Sequence, residues 1–190
     1  PEPVHCWLKV DTGMRRLGVS ADRAREFYDR LTACASVEGN PVIYTHFASA
    51  DDIHSSQTTG QIALFNKVCE GLPILRSAAN SPGLLAWPDA HYDWVRPGYM
   101  LYGNSPMAEP HPNAEPLQPV MTLCSAVISV REVAKGESVG YGASWTAARP
   151  SRIATVTIGY GDGYPRQAPN GTPVLVNGKR ANLAGRVSMD

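Results

Sequence analysis

The sequence contains no apolar run long enough to cross a bilayer, although 43% of its 190 residues are hydrophobic. A membrane-spanning helix needs about 20 consecutive apolar residues. An excess of charge is also missing, because 17 Lys and Arg balance 17 Asp and Glu. A balanced chain without a basic block argues against nucleic acid or an anionic membrane as the main partner. These absences predict a soluble, globular protein.

The cysteines do not form any recognisable metal or redox motif. They are scattered at Cys6, Cys34, Cys69 and Cys124, without a C-x-x-C pair and without a His at metal-ligand spacing. We therefore predict no metal site and reduced, buried thiols in a cytoplasmic protein, although an even number leaves disulfides open. A secretory signal is not visible at the start either.

Neither end of the sequence has the polar composition that is typical of a natural terminus. The chain starts with Pro1 instead of Met and stops at Asp190 within a strand-like run. We therefore expect an internal piece of a longer protein.

Strand-like apolar runs alternate with helical patterns in the first part of the sequence. Strands are predicted at 5–10, 42–47, 74–77 and 94–96, and amphipathic helices at 20–34, capped by Ser20, and at 62–69. This alternation is typical of βαβ units around a parallel sheet.

Polar side chains occur near the ends of these predicted strands: Lys9, His46, Asn80, Ser81 and Arg96. In a β/α barrel the carboxyl ends of the strands form the active-site face. Each residue alone could merely satisfy local hydrogen bonds, but their succession predicts a shared site.

The pattern changes at a proline-rich linker, residues 109–116. Beyond it, β-rich runs cover 120–133, 153–158, 174–176 and 183–188, and Asn177-Gly178 indicates a tight hairpin. We predict a barrel part at residues 1–112 and an all-β domain at 113–190.

One tyrosine in the second part is flanked by glycines, in the stretch Gly140-Tyr141-Gly142. Glycine permits unusual backbone conformations and removes the bulk that would crowd a neighbouring ring. Tyr141 can therefore present its hydroxyl to a ligand. The alternative is a buried tyrosine at a bend between strands.

Seven motifs, in order, resemble the alanine racemase family. They are KVDTGMRRLG (9–18), THFASAD (45–51), ANS (79–81), VRPG (95–98), SVGYG (138–142), IGYGDGYPR (158–166) and GRVSMD (185–190). The resemblance implies part of a pyridoxal-phosphate-binding (β/α)8 TIM barrel followed by a C-terminal all-β domain.

The resemblance also implies an activity and partners. Family members interconvert L-alanine and D-alanine with pyridoxal 5′-phosphate, as homodimers with a shared active site. The product serves peptidoglycan synthesis or alanine catabolism, and both roles stay open. The family's Schiff-base lysine would lie upstream of Pro1, so we expect the isolated chain to be inactive.

Cofactor contacts are implied for five positions. Arg96 matches the arginine that faces the pyridine nitrogen, and a guanidinium is only a donor. The phosphate is implied to lie at Ser81 and its neighbour Asn80, with the backbone of Gly98 and Tyr99.

Proton transfer and substrate binding are implied for the remaining positions. Tyr141 matches the catalytic base on one face of the substrate, and His46 matches the histidine that hydrogen-bonds it. Lys9 matches a lysine that is often carbamylated and paired with Arg16, although an ordinary pairing with Asp11 is the alternative. Substrate-pocket positions are matched by Arg16, Tyr160 and Met189, with Arg166 and Asp190 nearby.

Two alternatives to an alanine racemase stay open. One is another barrel-type enzyme with the same cofactor, either a broad-specificity racemase or a decarboxylase. The other is a non-catalytic pyridoxal-phosphate-binding protein, which would consist of a barrel alone. The Tyr141 and Tyr160 motifs argue against a decarboxylase, and the β-rich residues 119–190 argue against a barrel alone. A broad-specificity racemase stays open.

Overall fold

A four-stranded parallel sheet organises the first part of the chain in the computed structural model, which describes residues 2–190. Its strands are β1 (Trp7–Asp11), β2 (Val19–Ser20), β3 (Val42–Tyr44) and β4 (Arg76–Ser77), in the order β2-β1-β3-β4. Every pairing between them is parallel. The carboxyl ends of the strands therefore share one edge.

Helices connect these strands. They are α1 (Ala24–Thr32), α2 (Ser56–Cys69) and α3 (Ser81–Ala86), and short 3₁₀ helices cover Ala21–Arg23, Pro88–Ala90, Tyr99–Tyr102 and Pro112–Ala114. The start of α2 is fixed by Ser55, whose side chain accepts a hydrogen bond from the Gln57 N–H. Asn80 caps α3 in the same way, through the Gly83 N–H.

The core lies between the sheet and the helices. Leu8, Val10 and Ile43 are buried because alternate residues of β1 and β3 point toward the helices. Phe65 of α2 and Phe47, just after β3, complete this core, and both are almost fully buried. The alternation leaves Trp7 and Lys9 on the other face of the sheet.

The strands in the second part of the chain are short and antiparallel. They are β5 (Val127–Val133), β6 (Ser138–Val139), β7 (Trp145–Thr146), β8 (Ser151–Val156), β9 (Pro173–Val176) and β10 (Lys179–Asn182). These strands pair as β5 with β8, β6 with β7 and β9 with β10. Short 3₁₀ helices cover Tyr141–Ala143 and Tyr160–Asp162.

The predicted hairpin at Asn177-Gly178 is confirmed. Val176 pairs with Lys179, and the two turn residues have φ angles of 49° and 76°. Positive φ at both central positions is the requirement that predicted this turn.

Two predictions for the first helix are wrong. The Ser20 side chain makes no capping hydrogen bond, and a 3₁₀ turn at Ala21–Arg23 precedes α1. Cys34 lies beyond the end of the helix and is exposed, so its thiol is not part of the core. The exposed Cys124 likewise departs from the prediction of buried thiols.

Several predicted strands are shorter than expected or absent. The runs at 42–47 and 74–77 are reduced to Val42–Tyr44 and Arg76–Ser77. The strand at 94–96 is reduced to one bridge between Ser77 and Trp94, because the N–H groups of Asp93 and Trp94 both donate to the Arg76 carbonyl. The run at 120–133 becomes regular only at Val127. The run at 183–188 forms no strand, since Gly185 interrupts it with a φ of 87°.

The chain divides into two compact units, Pro1–Thr122 and Leu123–Asp190. The predicted boundary between residues 112 and 113 lies upstream of this division. The intervening segment contacts the first unit, where the Val120 N–H donates to the Tyr102 carbonyl.

Candidate functional site

Polar groups gather at the carboxyl ends of β1, β3 and β4. Thr12 follows β1, and its hydroxyl lies 2.7 Å from the hydroxyl of Thr45, which follows β3. Both residues are buried. Buried hydroxyls need partners, and this pair ties two neighbouring strand ends together.

Arg96 is bound to the ends of two strands. Its Nη1 donates to the Ser77 hydroxyl, and its Nη2 donates to the Thr45 carbonyl over 2.6 Å. Among the described residues, Nε makes no hydrogen bond and Nη1 makes one, so the Nε–H and the second N–H of Nη1 can face an acceptor such as a ring nitrogen. Burial lowers the pKa of Arg96, but a guanidinium stays charged in proteins.

His46 is half-buried beside this guanidinium. Nη2 of Arg96 lies 3.5 Å from Nδ1 of His46. Arginine can only donate, so a hydrogen bond over this contact would require Nδ1 as the acceptor and the ring proton on Nε2. Burial, followed by the charges of Arg96, Arg16 and Lys9, lowers the pKa of His46 below its ordinary value of 6.5. A neutral imidazole can therefore donate a hydrogen bond from Nε2.

Lys9 lies opposite Tyr44 in the pairing of β1 and β3, with its Nζ 5.8 Å from the centre of the Tyr44 ring. Burial and the neighbouring charges of Arg16 and Arg96 lower the pKa of Lys9. Asp11 makes no ion pair with Lys9 within the described part of the chain. One oxygen of its carboxylate accepts hydrogen bonds from the Gly13 and Arg15 N–H groups. The cluster of three cations favours an anion at this position.

Ser81, the first residue of α3, holds the loop that contains Gly98 and Met100. Its buried hydroxyl accepts from the Gly98 N–H at 2.9 Å and from the Met100 N–H at 3.2 Å. A serine hydroxyl has two acceptor lone pairs and one proton, so the proton remains to donate to an anion. The Gly98 N–H, which we expected to face a phosphate, donates to Ser81 instead.

The other phosphate positions lie in the same loops. Asn80 uses its side-chain oxygen to cap α3, and its amide nitrogen lies 3.5 Å from the Phe47 carbonyl. Tyr99 begins a 3₁₀ helix and is exposed. The cofactor roles of these two residues stay predictions.

Tyr141 lies in the second unit, on a 3₁₀ turn between β6 and β7. Gly140 and Gly142 on either side have φ angles of 77° and 73°, which only glycine adopts without strain. The turn packs near the backbone of Gly185 and Arg186. Tyr141 is 71% exposed, so the alternative of a buried tyrosine does not describe this unit.

Tyr160 and Met189 lie together in the second unit. The Tyr160 N–H donates to the Ser188 carbonyl, and the Gly161 N–H donates to the Met189 carbonyl over 2.8 Å. The guanidinium of Arg166 lies 5.5 Å from the centre of the Tyr160 ring. These contacts place three of the predicted substrate-pocket residues in one cluster.

Sequence reasoning missed the residues that hold Arg96 and His46. Thr12, Thr45 and Ser77 are buried polar residues at the ends of strands, and Gln61 is a buried amide on α2. The available signal was the polarity of Thr45 and Ser77 at the ends of apolar runs. Gln61 gave no signal, because a glutamine on an amphipathic helix is usually exposed.

The arrangement defines a class of protein: a parallel β/α unit with cationic and imidazole groups at its strand ends, followed by an all-β unit. Family models agree with it. The alanine racemase N-terminal domain matches residues 1–106, and the alanine racemase C-terminal domain matches residues 120–190. The chain therefore belongs to the alanine racemase family.

Individual relatives support this assignment. The chain is 53% identical to the biosynthetic alanine racemase of Escherichia coli (strain K12) over 100% of its own length and 53% of that protein. A crystal structure of the biosynthetic alanine racemase from Pseudomonas aeruginosa matches with 50% identity and a TM-score of 0.89, covering 100% of this chain and 52% of that one. The chain thus spans about half the length of these relatives.

One solved relative carries a cofactor. The alanine racemase from Bartonella henselae, described with covalently bound pyridoxal phosphate, is 34% identical, with a TM-score of 0.77 over 97% of this chain and 50% of that chain. The matches confirm the family resemblance and the predicted fold class, part of a β/α barrel followed by a β domain. Within residues 2–190, no helix is both long and apolar enough to span a membrane.

Proposed function

We propose that the full-length protein is an alanine racemase that interconverts L-alanine and D-alanine with pyridoxal 5′-phosphate. The observation that carries the proposal is the cluster at the strand ends, where Arg96 is fixed next to a neutral His46. Matches to relatives named alanine racemase supply the reaction.

The residues of the first unit fit this cofactor. Arg96 would face the ring nitrogen with its donor-only guanidinium, and the Ser81 hydroxyl would donate to the phosphate, with Asn80, Gly98 and Tyr99 nearby. Pyridoxal 5′-phosphate, when bound, supplies an electron sink that acidifies the α-C–H of an amino acid. An arginine next to the ring nitrogen cannot protonate it, which limits that sink.

Tyr141 is proposed as the base that accepts the α-proton on one face of the substrate. A phenol has an ordinary pKa near 10 and is a weak base at neutral pH. His46, neutral with its proton on Nε2, can donate to the phenolate oxygen and so stabilise the deprotonated form. Burial, and after it the charge of Arg96, lower the pKa of His46 and so disfavour a second proton on the imidazole.

The cationic cluster is proposed to bind the substrate carboxylate. Arg16 is exposed in the loop after β1 and would contact the carboxylate directly. A carbamylated Lys9 would place an anion between Arg16 and Arg96 and so offset the repulsion within the cluster. Tyr160 and Met189 are proposed to limit the pocket to a small side chain.

The test of this function follows the α-proton. The full-length protein should exchange the α-proton of L-alanine with solvent and form D-alanine in the presence of pyridoxal 5′-phosphate. Tyr141→Phe should reduce the rate by on the order of 10²–10⁴. Tyr164→Phe, in the same unit, is the matched control. An unchanged exchange rate in Tyr141→Phe would remove this residue as the base.

We further propose a cytoplasmic homodimer in which Tyr141 of one subunit serves the barrel of the other. The exposure of Tyr141 supports this role, because its hydroxyl is available to a partner. Inactive Tyr141→Phe and Arg96→Ala proteins can be unfolded together and refolded into mixed dimers. Random association should restore about a quarter of wild-type activity, since each hybrid dimer contains one intact site. A site confined to one subunit would restore none.

A further inference from the structure

Gln61 is a buried amide whose polar groups are all hydrogen-bonded. It lies on α2 with 2% of its surface exposed. Its Nε2 donates to the Thr12 hydroxyl at 3.1 Å and to the His46 carbonyl at 3.0 Å. Its Oε1 accepts from the Ala48 N–H at 2.9 Å. A buried amide with this many partners rigidifies the groups that it joins.

The Gln61 side chain clamps the backbone on both sides of Phe47. The carbonyl of His46 and the N–H of Ala48 meet one amide, so the chain direction after β3 is fixed. Phe47 itself is buried in the core at 2% exposure. The Gln61 hydrogen bonds and the burial of Phe47 therefore hold the turn after β3, and this turn limits the orientation of the His46 ring.

Space for this clamp is kept by Gly13. A Cβ atom at Gly13 would lie 3.3 Å from Cγ of Gln61, and the φ of 148° disfavours a larger residue. Gly13 thus lies where the aliphatic part of the Gln61 side chain passes the loop after β1.

The same network reaches Arg96. The Thr12 hydroxyl that accepts from Gln61 contacts the Thr45 hydroxyl at 2.7 Å, and the Thr45 carbonyl accepts from Arg96. Arg96 in turn lies against Nδ1 of His46. His46 is consequently held from its backbone by Gln61 and from its ring by Arg96.

We propose that Gln61 is a positioning residue for His46, and through it for proton transfer at Tyr141. The proposal rests on the racemase function proposed above and deepens it. Gln61 touches neither the substrate nor the cofactor in this role; it sets the angle at which the His46 ring leaves the turn. A misplacement of about 1 Å in such a group costs on the order of 10²-fold in rate.

The test compares two glutamines one helical turn apart. Gln61→Met in the full-length protein removes the amide but keeps a side chain of similar length. Gln57→Met is the matched control, because Gln57 is exposed on the same helix and its side chain accepts a hydrogen bond from the Ser49 hydroxyl at the surface. Gln61→Glu is the second variant, since its carboxylate still accepts from the Ala48 N–H but cannot donate to the His46 carbonyl.

The first readout does not depend on activity. The ¹⁵N resonances of the His46 ring should shift in both Gln61 variants and stay unchanged in Gln57→Met. Far-UV circular dichroism identifies which variant is folded, and either Gln61 variant suffices. Unchanged His46 resonances in a folded Gln61 variant overturn the proposal.

The second readout separates positioning from a general loss of stability. A misplaced His46 slows the transfer at Tyr141, so the α-deuterium isotope effect should rise for the enantiomer whose α-hydrogen Tyr141 removes, and not for the other enantiomer. Racemisation should fall by on the order of 10- to 10²-fold. Because L-alanine and D-alanine are equal in energy, the loss of kcat/KM must be the same in both directions. A loss of activity with unchanged isotope effects for both enantiomers contradicts the proposal. If the wild-type protein does not racemise alanine, the proposed function fails, whereas the resonances still decide whether Gln61 orients His46.

Discussion

The guanidinium of Arg96 donates to the backbone carbonyl of Thr45 over 2.6 Å, across the carboxyl ends of two parallel strands. A second donor of the same group binds the Ser77 hydroxyl. The protein itself therefore sets the position of Arg96, and the orientation of the His46 imidazole depends on it. A planar fork of donors is suited to this double contact.

Arg96→Lys should lose at least one of these contacts, because an ammonium is a point charge without the fork geometry. We expect the free energy of unfolding to fall by about 1–3 kcal/mol and racemisation to fall at least ~10-fold. Urea unfolding and a racemisation assay on the full-length protein measure both. Arg23→Lys is the control, since the pair of Arg23 with Glu26 is exposed and exposed ion pairs contribute little to stability. Equal effects of the two substitutions would contradict the anchoring role of Arg96.

The lowered pKa of His46 makes stability depend on pH in a defined direction. Burial and the charges of Arg96, Arg16 and Lys9 disfavour the protonated imidazole in the folded state. The unfolded chain binds this proton more readily, so stability should fall as the pH drops from about 6.5 toward the lower folded pKa. Above about 6.5 the group should contribute no slope. His46→Gln should remove this part of the pH dependence.

The control for this prediction is His54→Gln, in the exposed loop before α2. For wild type and both variants, urea unfolding is measured from about pH 6.5 down to the pH at which His46 in the folded protein becomes protonated. The interpretation fails if the His54 variant loses the slope and the His46 variant keeps it.

Gly159 should not tolerate a side chain. A Cβ atom there would overlap backbone atoms of Ser188 and Met189, and backbone cannot move aside as a flexible side chain does. Gly159→Ala should destabilise the protein by about 1–3 kcal/mol and displace Met189 from Tyr160.

Gly60 is the contrasting glycine, because it lies exposed within α2 and a Cβ atom there would meet no atom within 4 Å. Gly60→Ala should stabilise the protein by about 0.5–1 kcal/mol through the helix preference of alanine. Thermal melting of both variants tests the pair. A shift of the melting temperature in the same direction for both substitutions would contradict the contrast between the two glycines.

The cysteine thiols should differ in their rate of alkylation. Burial raises the pKa of Cys69 to about 11, so this thiol stays protonated and unreactive near neutral pH. Cys34 and Cys124 are exposed and should be alkylated quickly by iodoacetamide. Mass spectrometry of partially alkylated protein locates the modified residues. Early modification of Cys69 in the folded protein would show that the burial is wrong.

Local sequence was sufficient where a short segment dictates its own backbone. The Asn177-Gly178 turn follows from two residues that accept positive φ. The alternation of Leu8 and Val10 with Trp7 and Lys9 follows from the two-residue period of a strand. The glycines around Tyr141 likewise permitted unusual backbone conformations, and both have positive φ, although they did not predict the 3₁₀ turn at Tyr141–Ala143.

Sequence was insufficient where a strand depends on its neighbour. The segment 94–96 has a composition suited to a strand, yet Asp93 and Trp94 share one acceptor at Arg76. The next donor, the Arg96 N–H, reaches the Ala79 carbonyl, which is out of the register of a regular parallel ladder. Pairing partners lie far apart in the chain, so their register is decided by packing. The same holds for 183–188, which Gly185 interrupts.

The sequence by itself determined the βα alternation and the family, because both follow from the spacing and type of residues along the chain. The roles of the predicted site residues stay predictions. Only the tertiary structure decided that Arg96 is fixed by Thr45 and Ser77, and that Gln61 holds the turn after His46. These contacts join residues 15 to 51 positions apart in the chain. No local preference encodes them, since they form only when parallel strands bring their carboxyl ends to one edge.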